Sequence, residues 1–351
     1  MPSLAEYRIS EFEKELTAWG FKSSHAARIL RRYFDFGGSV PWDALRVPEA
    51  LRERVTRERP EFASVVSSRQ VAADGTVKLL LRYADGRSVE AVMMSDYRED
   101  RVAGCLSTQA GCAMGCDFCA TAQGGLERNL EAGEIVEQFL RLRGEAKAAG
   151  KTLRTVVFMG MGEPMHNYDA MIEALRRIGG GELGALGWRQ ITVSTVGIVA
   201  GIDRLAAEGL RVNLAVSLHA PDDTTRARLL PAGRRFAIAD ILAAADRYQS
   251  VSGLPVIVQY CLLKDVNDSP EQAGMLADLL AARRMHVNLL HYNPTGAGLS
   301  GRAYEACPVE RMDAFIAILR DRGVVAHVRR PRGRDIAAAC GQLRAEGGDG
   351  I

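Results

Sequence analysis

The first sixty residues of the chain have the periodicity of amphipathic helices. Apolar side chains recur every three or four positions, at Ile9, Phe12, Leu16 and Trp19. This spacing predicts a helix, and Gly20 ends the run. A second helix is predicted from about Ser24, with Arg28, Arg31 and Arg32 beside its apolar positions. A basic helix face of this kind can bind RNA, although such a face is usually only solvated.

From about Phe62 the apolar residues recur at every second position, which is the spacing of a strand. Alternating segments at residues 65–66, 77–81 and 89–93 are separated by Asp74-Gly75 and Asp85-Gly86. Asp-Gly between alternating segments is a strong signal for a β-hairpin. The pattern therefore predicts a three-stranded meander, which with the preceding helices forms a small N-terminal α+β appendage ending near residue 97.

The rest of the chain alternates short apolar strands with helices. Strands are predicted at residues 102–106, 155–159, 190–194, 212–217, 256–262 and 287–290. Helices are predicted near residues 132–149, 168–178, 198–208, 238–249, 271–283 and 309–321. This alternation is typical of parallel βαβ units, and six units fit an incomplete (β/α)6 barrel of the α/β class. In parallel barrels the chemistry lies at the carboxyl ends of the strands.

Composition narrows the functional classes without selecting one. The chain has 351 residues, of which 47% are hydrophobic, so it can bury a large core. No apolar run reaches the roughly 18 residues of a membrane span, and the charged N-terminus is unlike a signal peptide. The net charge is only +2, although all but six of the 45 lysines and arginines are arginine. Arginine suits phosphates and stacked bases, but a codon bias would give the same excess.

The strongest chemical signal is a loop with three closely spaced cysteines. Cys112, Cys116 and Cys119 form a C-x3-C-x2-C pattern, and the chain has seven cysteines in all. Thiolates suit iron–sulfur clusters and zinc, but a structural zinc usually takes four ligands and nothing just downstream supplies the fourth. Three thiolates would leave one iron of a four-iron cluster open to a small molecule. The alternative is three ordinary buried cysteines. The odd cysteine count is unlike a secreted disulfide framework and predicts a cytoplasmic protein.

This loop and the glycine-rich turn after it resemble the radical S-adenosylmethionine (SAM) superfamily. The wider window at residues 105–130 is similar to the RlmN/Cfr family of RNA adenosine methyltransferases, as is the C-terminal segment at residues 332–343. Ala122-Gln123 resembles RlmN more than the C8-specific enzymes. The resemblance implies a partial, TIM-like radical SAM barrel with one 4Fe-4S cluster on Cys112, Cys116 and Cys119. The open iron would chelate SAM.

The resemblance also implies SAM contacts at the ends of the predicted strands. Gly162 and Glu163 lie in a Gly-Glu-Pro motif that contacts the SAM amino group in radical SAM enzymes. The remaining implied contacts are Ser194, Ser217, Leu218, His219 and Asn293. From the residues alone, the Gly-Glu-Pro motif is equally well a strand-to-helix turn and Ser194 a helix cap. A lone histidine such as His219 is more often a satisfied structural residue.

A two-stage methyl transfer follows from the same resemblance. Cys340 would take a methyl group from one SAM, and a second SAM would be cleaved to a radical that removes hydrogen from the S-methyl group. The carbon radical would add to adenine, and Cys105 would resolve the protein–RNA adduct, leaving a Cys105–Cys340 disulfide. Glu90 lies where the family has a proposed general base. An alternating strand also carries an exposed charge at such a position by default.

These inferences predict a three-part chain with RNA as its substrate. Residues 1–97 would form an accessory domain that contacts RNA, residues 98–330 the barrel, and residues 331–351 the tail carrying Cys340. The expected target is adenosine C2 in 23S ribosomal RNA, with transfer RNA as a further target. The expected partners also include a reductant such as flavodoxin or ferredoxin, with no membrane association and a monomeric state.

Other functions stay open at this stage. One is a C8-specific, Cfr-like methyltransferase, and another is a radical SAM peptide-modifying or activating enzyme, which would need neither Cys105 nor Cys340. A non-catalytic RNA-binding protein with a structural cluster is a third, although it would need no SAM site. Departures from the family at Gln259 and at residues 230–236 and 294–298 leave the RNA target open. Cys261 and Cys307 are expected to be packing residues, and the arginines at 329, 330, 332 and 334 a phosphate-binding arm.

Overall fold

The computed structural model describes residues 2–183, 186–231 and 235–344. Its strands are β1 (Val65–Val71), β2 (Val77–Arg82), β3 (Ser88–Ser95), β4 (Arg101–Cys105), β5 (Gln109–Gly111), β6 (Leu126–Asn129), β7 (Thr152–Phe158), β8 (Ile191–Thr195), β9 (Asn213–Ser217), β10 (Val256–Leu262), β11 (Met285–His291) and β12 (Val325–Arg329). Its helices are α1 (Ile9–Ala18), α2 (His25–Asp35), α3 (Glu49–Glu58), α4 (Ala120–Gln123), α5 (Ala132–Ala148), α6 (Tyr168–Gly179), α7 (Val199–Ala207), α8 (Asp223–Leu229), α9 (Ile238–Ser252), α10 (Pro270–Leu280) and α11 (Val309–Asp321). Part of the family departure at residues 230–236 and the last part of the tail lie outside the described residues.

Ten of these strands form one sheet in the order β1-β2-β3-β4-β7-β8-β9-β10-β11-β12. Pairing is antiparallel from β1 to β4 and parallel from β4 through β12. The six strands predicted for the barrel are all present and parallel, so the predicted α/β barrel class is confirmed. β12 extends the barrel with a further parallel strand. This strand was not predicted, because its short alternation of apolar, histidine and arginine residues runs directly into the basic segment.

The meander and the barrel share this sheet without a break at residue 97. β3 pairs with β4 in an antiparallel register that aligns Val92 with Cys105 and Ser95 with Val102. The predicted boundary lies in the connection between β3 and β4, and parallel pairing begins one strand later, between β4 and β7. As a result Glu90 on β3 lies near Cys105, at the carboxyl end of the first barrel strand.

Burial follows the sequence patterns that predicted these elements. The central parallel strands β9 and β10 are buried along most of their length on both faces, whereas the edge strand β12 exposes every second residue at its start. Residues such as Val193, Leu214 and Val258 are fully buried. In the meander, Gly75 and Gly86 have φ values of 80° and 82°, which the two hairpin turns require. No helix in the described ranges has the length and apolar composition to cross a membrane.

The predicted basic face of α2 is present. Its apolar side packs into the core through Ile29 and Leu30, while Arg28, Arg31 and Arg32 line a surface groove of about 510 Å³. Arg28 donates to the Arg46 carbonyl at 2.6 Å, and Arg31 donates to the Glu182 carbonyl at 3.2 Å. These bonds hold the two guanidinium groups at the groove.

Candidate functional site

The cysteine loop is closed at its base by a small hairpin of β5 and β6. Gly111 aligns with Leu126 in this hairpin, and the Cys112 N–H donates to the Gly125 carbonyl at 2.7 Å. Gly111 has a φ of 73°, and a Cβ there would overlap the Gly125 carbonyl oxygen, so only glycine fits. At the other end Cys119 is the N-cap residue of α4. The cysteine loop therefore begins at the end of β5 and ends at the start of α4.

The thiols in this loop suit a cluster better than a single ion. Burial raises the pKa of Cys112 to about 12 and the pKa of Cys116 well above its ordinary value, and Cys119 raises both further. Such thiols ionise readily only beside strong positive charge, which iron would supply. Across the described residues, no group of three or more His, Cys, Asp or Glu side chains is placed to hold a metal ion. Ligands of a four-iron cluster bind different iron atoms, so they need not converge on one point.

Glu163 connects two loops at the carboxyl ends of the barrel strands. It is buried, and its two carboxylate oxygens accept the Met165 N–H at 3.0 Å and the Val196 N–H at 2.8 Å. Burial raises its pKa to about 7 even though these hydrogen bonds act to lower it. Its charge in turn raises the pKa of Cys112 and Cys116. Glu163 therefore lies close enough to the cysteine loop to act on a group bound there.

Close packing against Gln109 explains why residue 162 is a glycine. It has a φ of 100°, and a Cβ there would come within 2.6 Å of the Gln109 Cβ. The Gln109 side chain accepts the Glu163 N–H at 2.8 Å. The glycine thus lets β5 approach the loop that carries Glu163, which brings the cysteine loop and the Gly-Glu-Pro motif together.

We expect Glu163 to give the cluster-free protein a measurable pH dependence. Its pKa is about 7 when folded against an ordinary value of 4.5. Between these pH values the folded state holds a proton that the unfolded state has lost, so the free energy of unfolding falls as pH rises, by up to about 3 kcal/mol. Urea titrations across this range should show a flatter pH profile for Glu163→Gln. Identical profiles for the two proteins would contradict the raised pKa.

His219 is a constrained, neutral histidine beside the cysteine loop. It has a left-handed φ of 57°, and its Nδ1 accepts the Cys261 N–H at 2.9 Å. Burial, with a further contribution from Arg226, lowers its pKa to about 3. Its ring packs edge-on against Phe118 with centroids 5.1 Å apart. Since Nδ1 accepts, the hydrogen of the neutral ring is on Nε2, which can donate to a ligand.

The other predicted contacts lie on adjacent strands. Ser194 and Ser217, both half-buried, are at the ends of β8 and β9, and Leu218 is buried with its N–H donated to the Gln259 carbonyl at 3.1 Å. Gln259, one of the departures from the family, aligns with Ser217 across the sheet. It is buried, and its Oε1 has no hydrogen-bond partner among the described residues. That oxygen is available to a bound molecule.

Asn293 joins the barrel to the tail. It is buried, its Oδ1 accepts from Arg334 Nε at 2.8 Å, and its Nδ2 donates to the Cys340 carbonyl at 3.4 Å. Arg334 also donates to the Tyr292 carbonyl at 3.4 Å. These two hydrogen bonds hold the exposed Arg334 side chain against the barrel.

The tail brings Cys340 to the same end of the barrel as Cys105. The Gly341 carbonyl accepts the Ala120 N–H at 2.8 Å, and the Leu343 carbonyl accepts the Thr121 hydroxyl at 2.6 Å, so the tail is bound to α4. The pKa of Cys105 is raised, first by burial and then by Cys340. Cys340 is exposed, yet loss of hydration raises the pKa of its thiol. An exposed side chain that loses hydration in this way lies in a concavity.

Cys261 is closer to this site than its sequence context indicated. Its pKa is raised first by burial and then by Cys340 and Cys119. It lies near the end of β10, a position at which a strand residue can reach the mouth of a barrel. Cys307, by contrast, is influenced after burial by Asp268 and by no other cysteine.

Glu90 is buried, so the alternative of an exposed charge on an alternating strand is wrong. It forms an ion pair with Lys78 at 2.8 Å and accepts the Arg344 N–H at 2.9 Å. Both lie at a cleft of about 380 Å³ between the meander and the tail. Its lining includes Gln70, Lys78, Glu90, Ala120, Gln342 and Arg344. The cleft is within the size range of small-molecule sites, and its lining is adjacent in sequence to Cys119 and Cys340.

Asp117, inside the cysteine loop, is a site residue that the sequence analysis missed. It is buried and accepts the Ser300 N–H at 2.7 Å, the Ser300 hydroxyl at 2.5 Å and the Tyr304 hydroxyl at 2.6 Å. Gly298 packs so tightly that a Cβ there would overlap the Asp117 carbonyl oxygen. The family departure at residues 294–298 therefore leads into a segment that braces the cysteine loop. Asp117 could have been noticed as a charge between two cysteines, but its partners are distant in sequence.

We expect Gly298→Ala to destabilise the protein by about 1–3 kcal/mol, because the new methyl group meets backbone that cannot move without shifting the cysteine loop. Chemical denaturation measures this loss. The matched control is Gly124→Ala, where the added Cβ meets nothing within 4 Å. Equal stability of the two variants would contradict the bracing role of the segment.

Comparison with known proteins gives a consistent result. The Radical SAM superfamily pattern matches residues 106–280. A protein of Opitutus terrae named probable dual-specificity RNA methyltransferase RlmN 1 is 63% identical over 99% of this chain and 98% of its own length. A Frankia casuarinae protein named probable dual-specificity RNA methyltransferase RlmN is 49% identical over 98% of this chain and 82% of its own length. The crystal structure of a radical SAM methyltransferase from Sphaerobacter thermophilus has a TM-score of 0.92 and 43% identity, and covers 99% of this chain and 100% of that chain.

Proposed function

Because this chain belongs to the RlmN family of radical SAM RNA methyltransferases, we propose that it methylates carbon 2 of an RNA adenosine through Cys340. The observation that carries this proposal is the attachment of the tail to α4, directly after the cysteine loop. A radical SAM enzyme that used SAM only for hydrogen abstraction would need no cysteine-bearing tail there.

The residues described above fit both cofactors. Cys112, Cys116 and Cys119 would hold one 4Fe-4S cluster, which when bound supplies the electron for reductive cleavage of SAM. The two Glu163 oxygens offer about four acceptor sites. The Met165 N–H, the Val196 N–H and the Thr195 side chain donate to three of these sites, and we propose that the fourth accepts the SAM ammonium group. The positive charge would lower the pKa of Glu163 and hold it ionised. The other proposed SAM contacts are Gly162, Ser194, Ser217, Leu218, His219 and Asn293.

Cys340 is the proposed methyl carrier and Cys105 its partner. The Cys340 thiol must lose its proton to accept a methyl group from the SAM sulfonium. Loss of hydration raises its pKa, and the charge of Arg329 acts to lower it. A second SAM is consumed to activate the S-methyl group, so two are used per turnover. Attack by the Cys105 thiolate on the Cys340 sulfur would then break the bond between that sulfur and the transferred methylene carbon. The carbon takes up a proton to become the methyl group of the released RNA, and the two sulfurs are left as a disulfide. The reduction of this disulfide at each turnover, by two electrons and two protons, suits a reducing cytoplasm. The single electron for SAM cleavage would come from a separate reductant, for which flavodoxin or ferredoxin is the expected class.

The cleft beside Glu90 is the proposed entrance for the adenine. Glu90 is proposed as the general base, and its carboxylate is held in place by Lys78 and by the Arg344 N–H. The groove on α2 with Arg28, Arg31 and Arg32 is proposed to contact RNA phosphates as part of the accessory domain of residues 1–97. The enzyme is proposed to act as a monomer on 23S ribosomal RNA and on transfer RNA.

The test is a direct assay of the modified nucleoside. Anaerobically reconstituted protein is incubated with methyl-labelled SAM, a reductant and either ribosomal or transfer RNA, and the RNA is digested for mass analysis. We expect labelled 2-methyladenosine, and repeated digests should place it at the same nucleotide of the RNA. Labelled 8-methyladenosine would support the Cfr-like alternative instead. SAM cleavage without a methylated nucleoside in either RNA would overturn the proposal.

A further inference from the structure

The tail that carries Cys340 is bound to the first hairpin of the meander by a reciprocal pair of hydrogen bonds. The Gly333 N–H donates to Asp74 Oδ2 at 3.1 Å, and the Ala73 N–H donates to Asp335 Oδ2 at 2.9 Å. Each segment thus supplies one carboxylate and one backbone donor. We call this contact, formed by residues 73–74 and 333–335, the hairpin–tail latch. Hydrogen bonds to a carboxylate are among the stronger ones in proteins.

The backbone of the tail lies directly on the hairpin turn. A Cβ on Gly333 would come within 2.8 Å of the Thr76 Cγ2, and Lys78 Nζ donates to the Ala337 carbonyl at 3.4 Å. Gly333 and Ala337 both have left-handed φ values, 62° and 49°. This conformation is unfavourable for alanine, so the short turn between them persists only when other contacts hold it. The latch and Lys78 supply such contacts.

Cys340 lies between two attachment points of the tail. The latch is on its N-terminal side, and on its C-terminal side the Gly341 and Leu343 carbonyls are bound by α4. We propose that Asp74 and Asp335 are positioning residues that hold Cys340 where its thiol meets Cys105. This inference rests on the proposed roles of the two thiols, and it assigns to the first hairpin a function other than RNA contact.

The second hairpin of the meander provides a matched comparison. Asp85 occupies the same Asp-Gly turn position, accepts the Arg87 N–H at 3.0 Å and pairs with Arg128. Its described hydrogen bonds do not reach the tail. The pKa of both carboxyl groups is lowered against the opposing effect of desolvation, but by different donors: Arg87 and Arg128 act on Asp85, whereas Thr76 and the Gly333 N–H of the tail act on Asp74. The tail is therefore one of the groups that stabilise the charged form of Asp74.

The test measures how readily Cys105 and Cys340 form a disulfide in the full-length, cluster-loaded protein. In an anaerobic glutathione buffer, the two thiols pass two electrons and two protons to one glutathione disulfide, which becomes two glutathione thiols. Peptide mass analysis gives the equilibrium constant. We expect Asp335→Ala to lower it about tenfold, the effect of losing one hydrogen bond to a charged group. Asp335→Asn should recover much of this loss, because its amide oxygen can still accept the Ala73 N–H.

Two hairpin variants complete the design. Asp74→Ala should lower the same equilibrium constant, whereas Asp85→Ala, which damages an equivalent turn, should leave it at the wild-type value. A wild-type constant in both Asp335→Ala and Asp74→Ala would overturn the latch while leaving the methyltransferase proposal intact. Failure of the wild-type protein to form any Cys105–Cys340 disulfide would instead overturn the proposed pairing of the thiols, and the positioning role with it.

Discussion

Replacement of Cys340 by alanine is expected to lower RNA methylation by about a thousandfold or more, while reductive cleavage of SAM continues. Cys340 is the one exposed cysteine of the seven, all of which lie in the described ranges, so it is the thiol that a methyl donor and an RNA base can both reach. Its replacement removes the carrier but leaves the cysteine loop and Glu163 in place. The measurements are label transfer from SAM to RNA and release of 5′-deoxyadenosine, made on the same sample.

Two further observations decide how this result is interpreted. Mass analysis of the peptide containing Cys340 should show an added methyl group in the wild-type protein after incubation with SAM. Cys307→Ala is the matched control, since Cys307 is buried and is influenced by Asp268 and not by the other thiols. An unmodified Cys340 in a protein that still methylates RNA would contradict the carrier role, and equal losses in both variants would indicate a general fault in folding.

Replacement of Cys116 by alanine is expected to remove the bound iron almost completely and to stop both SAM cleavage and RNA methylation. Cys116 is the central thiol of the loop, and its pKa is raised by burial, by Cys119 and by Cys112. Three thiolates are already fewer than the four that commonly hold such a cluster, so the loss of one leaves too few to retain it. Iron and sulfide content and visible absorbance after anaerobic reconstitution measure the loss.

The control for this prediction uses the same amino-acid type in the same protein. Cys307→Ala should keep its iron, because Cys307 lies outside the C-x3-C-x2-C pattern and the main influences on its pKa are burial and Asp268. Cys261→Ala tests whether a cysteine that is only near the cluster is needed to hold it. Cys261 lies near Cys119 and Cys340 but outside the C-x3-C-x2-C pattern. Iron retained in Cys116→Ala and lost in Cys261→Ala would transfer the ligand role to Cys261 and contradict the assignment made here.

Features that depend on neighbouring residues could be predicted well. The two Asp-Gly turns, the six parallel strands and the helices between them follow from local periodicity and turn chemistry, because a strand or helix shows its buried side within a few residues. The cysteine loop is local in the same sense, since its three thiols lie within eight positions. The strand β12 was missed because its local signal is mixed with that of the basic segment after it.

Features that join distant parts of the chain could not be predicted. The burial of Glu90 depends on Lys78 beside it on the sheet and on Arg344, 254 positions away. The bracing of Asp117 depends on Ser300, 183 positions away, and the inward direction of Arg334 depends on Asn293. Glu90 and Asp117 are buried with remote partners that satisfy them, and the exposed Arg334 is held against the barrel by another remote partner. Sequence periodicity contains no information on such partners.

By itself, the sequence determined the chemistry of this protein, because the types and spacing of the cysteines and the Gly-Glu-Pro motif are local properties that the resemblance could interpret. Only the tertiary structure decided how these groups meet. The continuous sheet brings Glu90 near Cys105, and the hairpin–tail latch holds the segment that carries Cys340 across a separation of about 260 residues. Contacts over such distances form only when the whole chain has folded, since each hydrogen bond is too weak to bring its partners together alone.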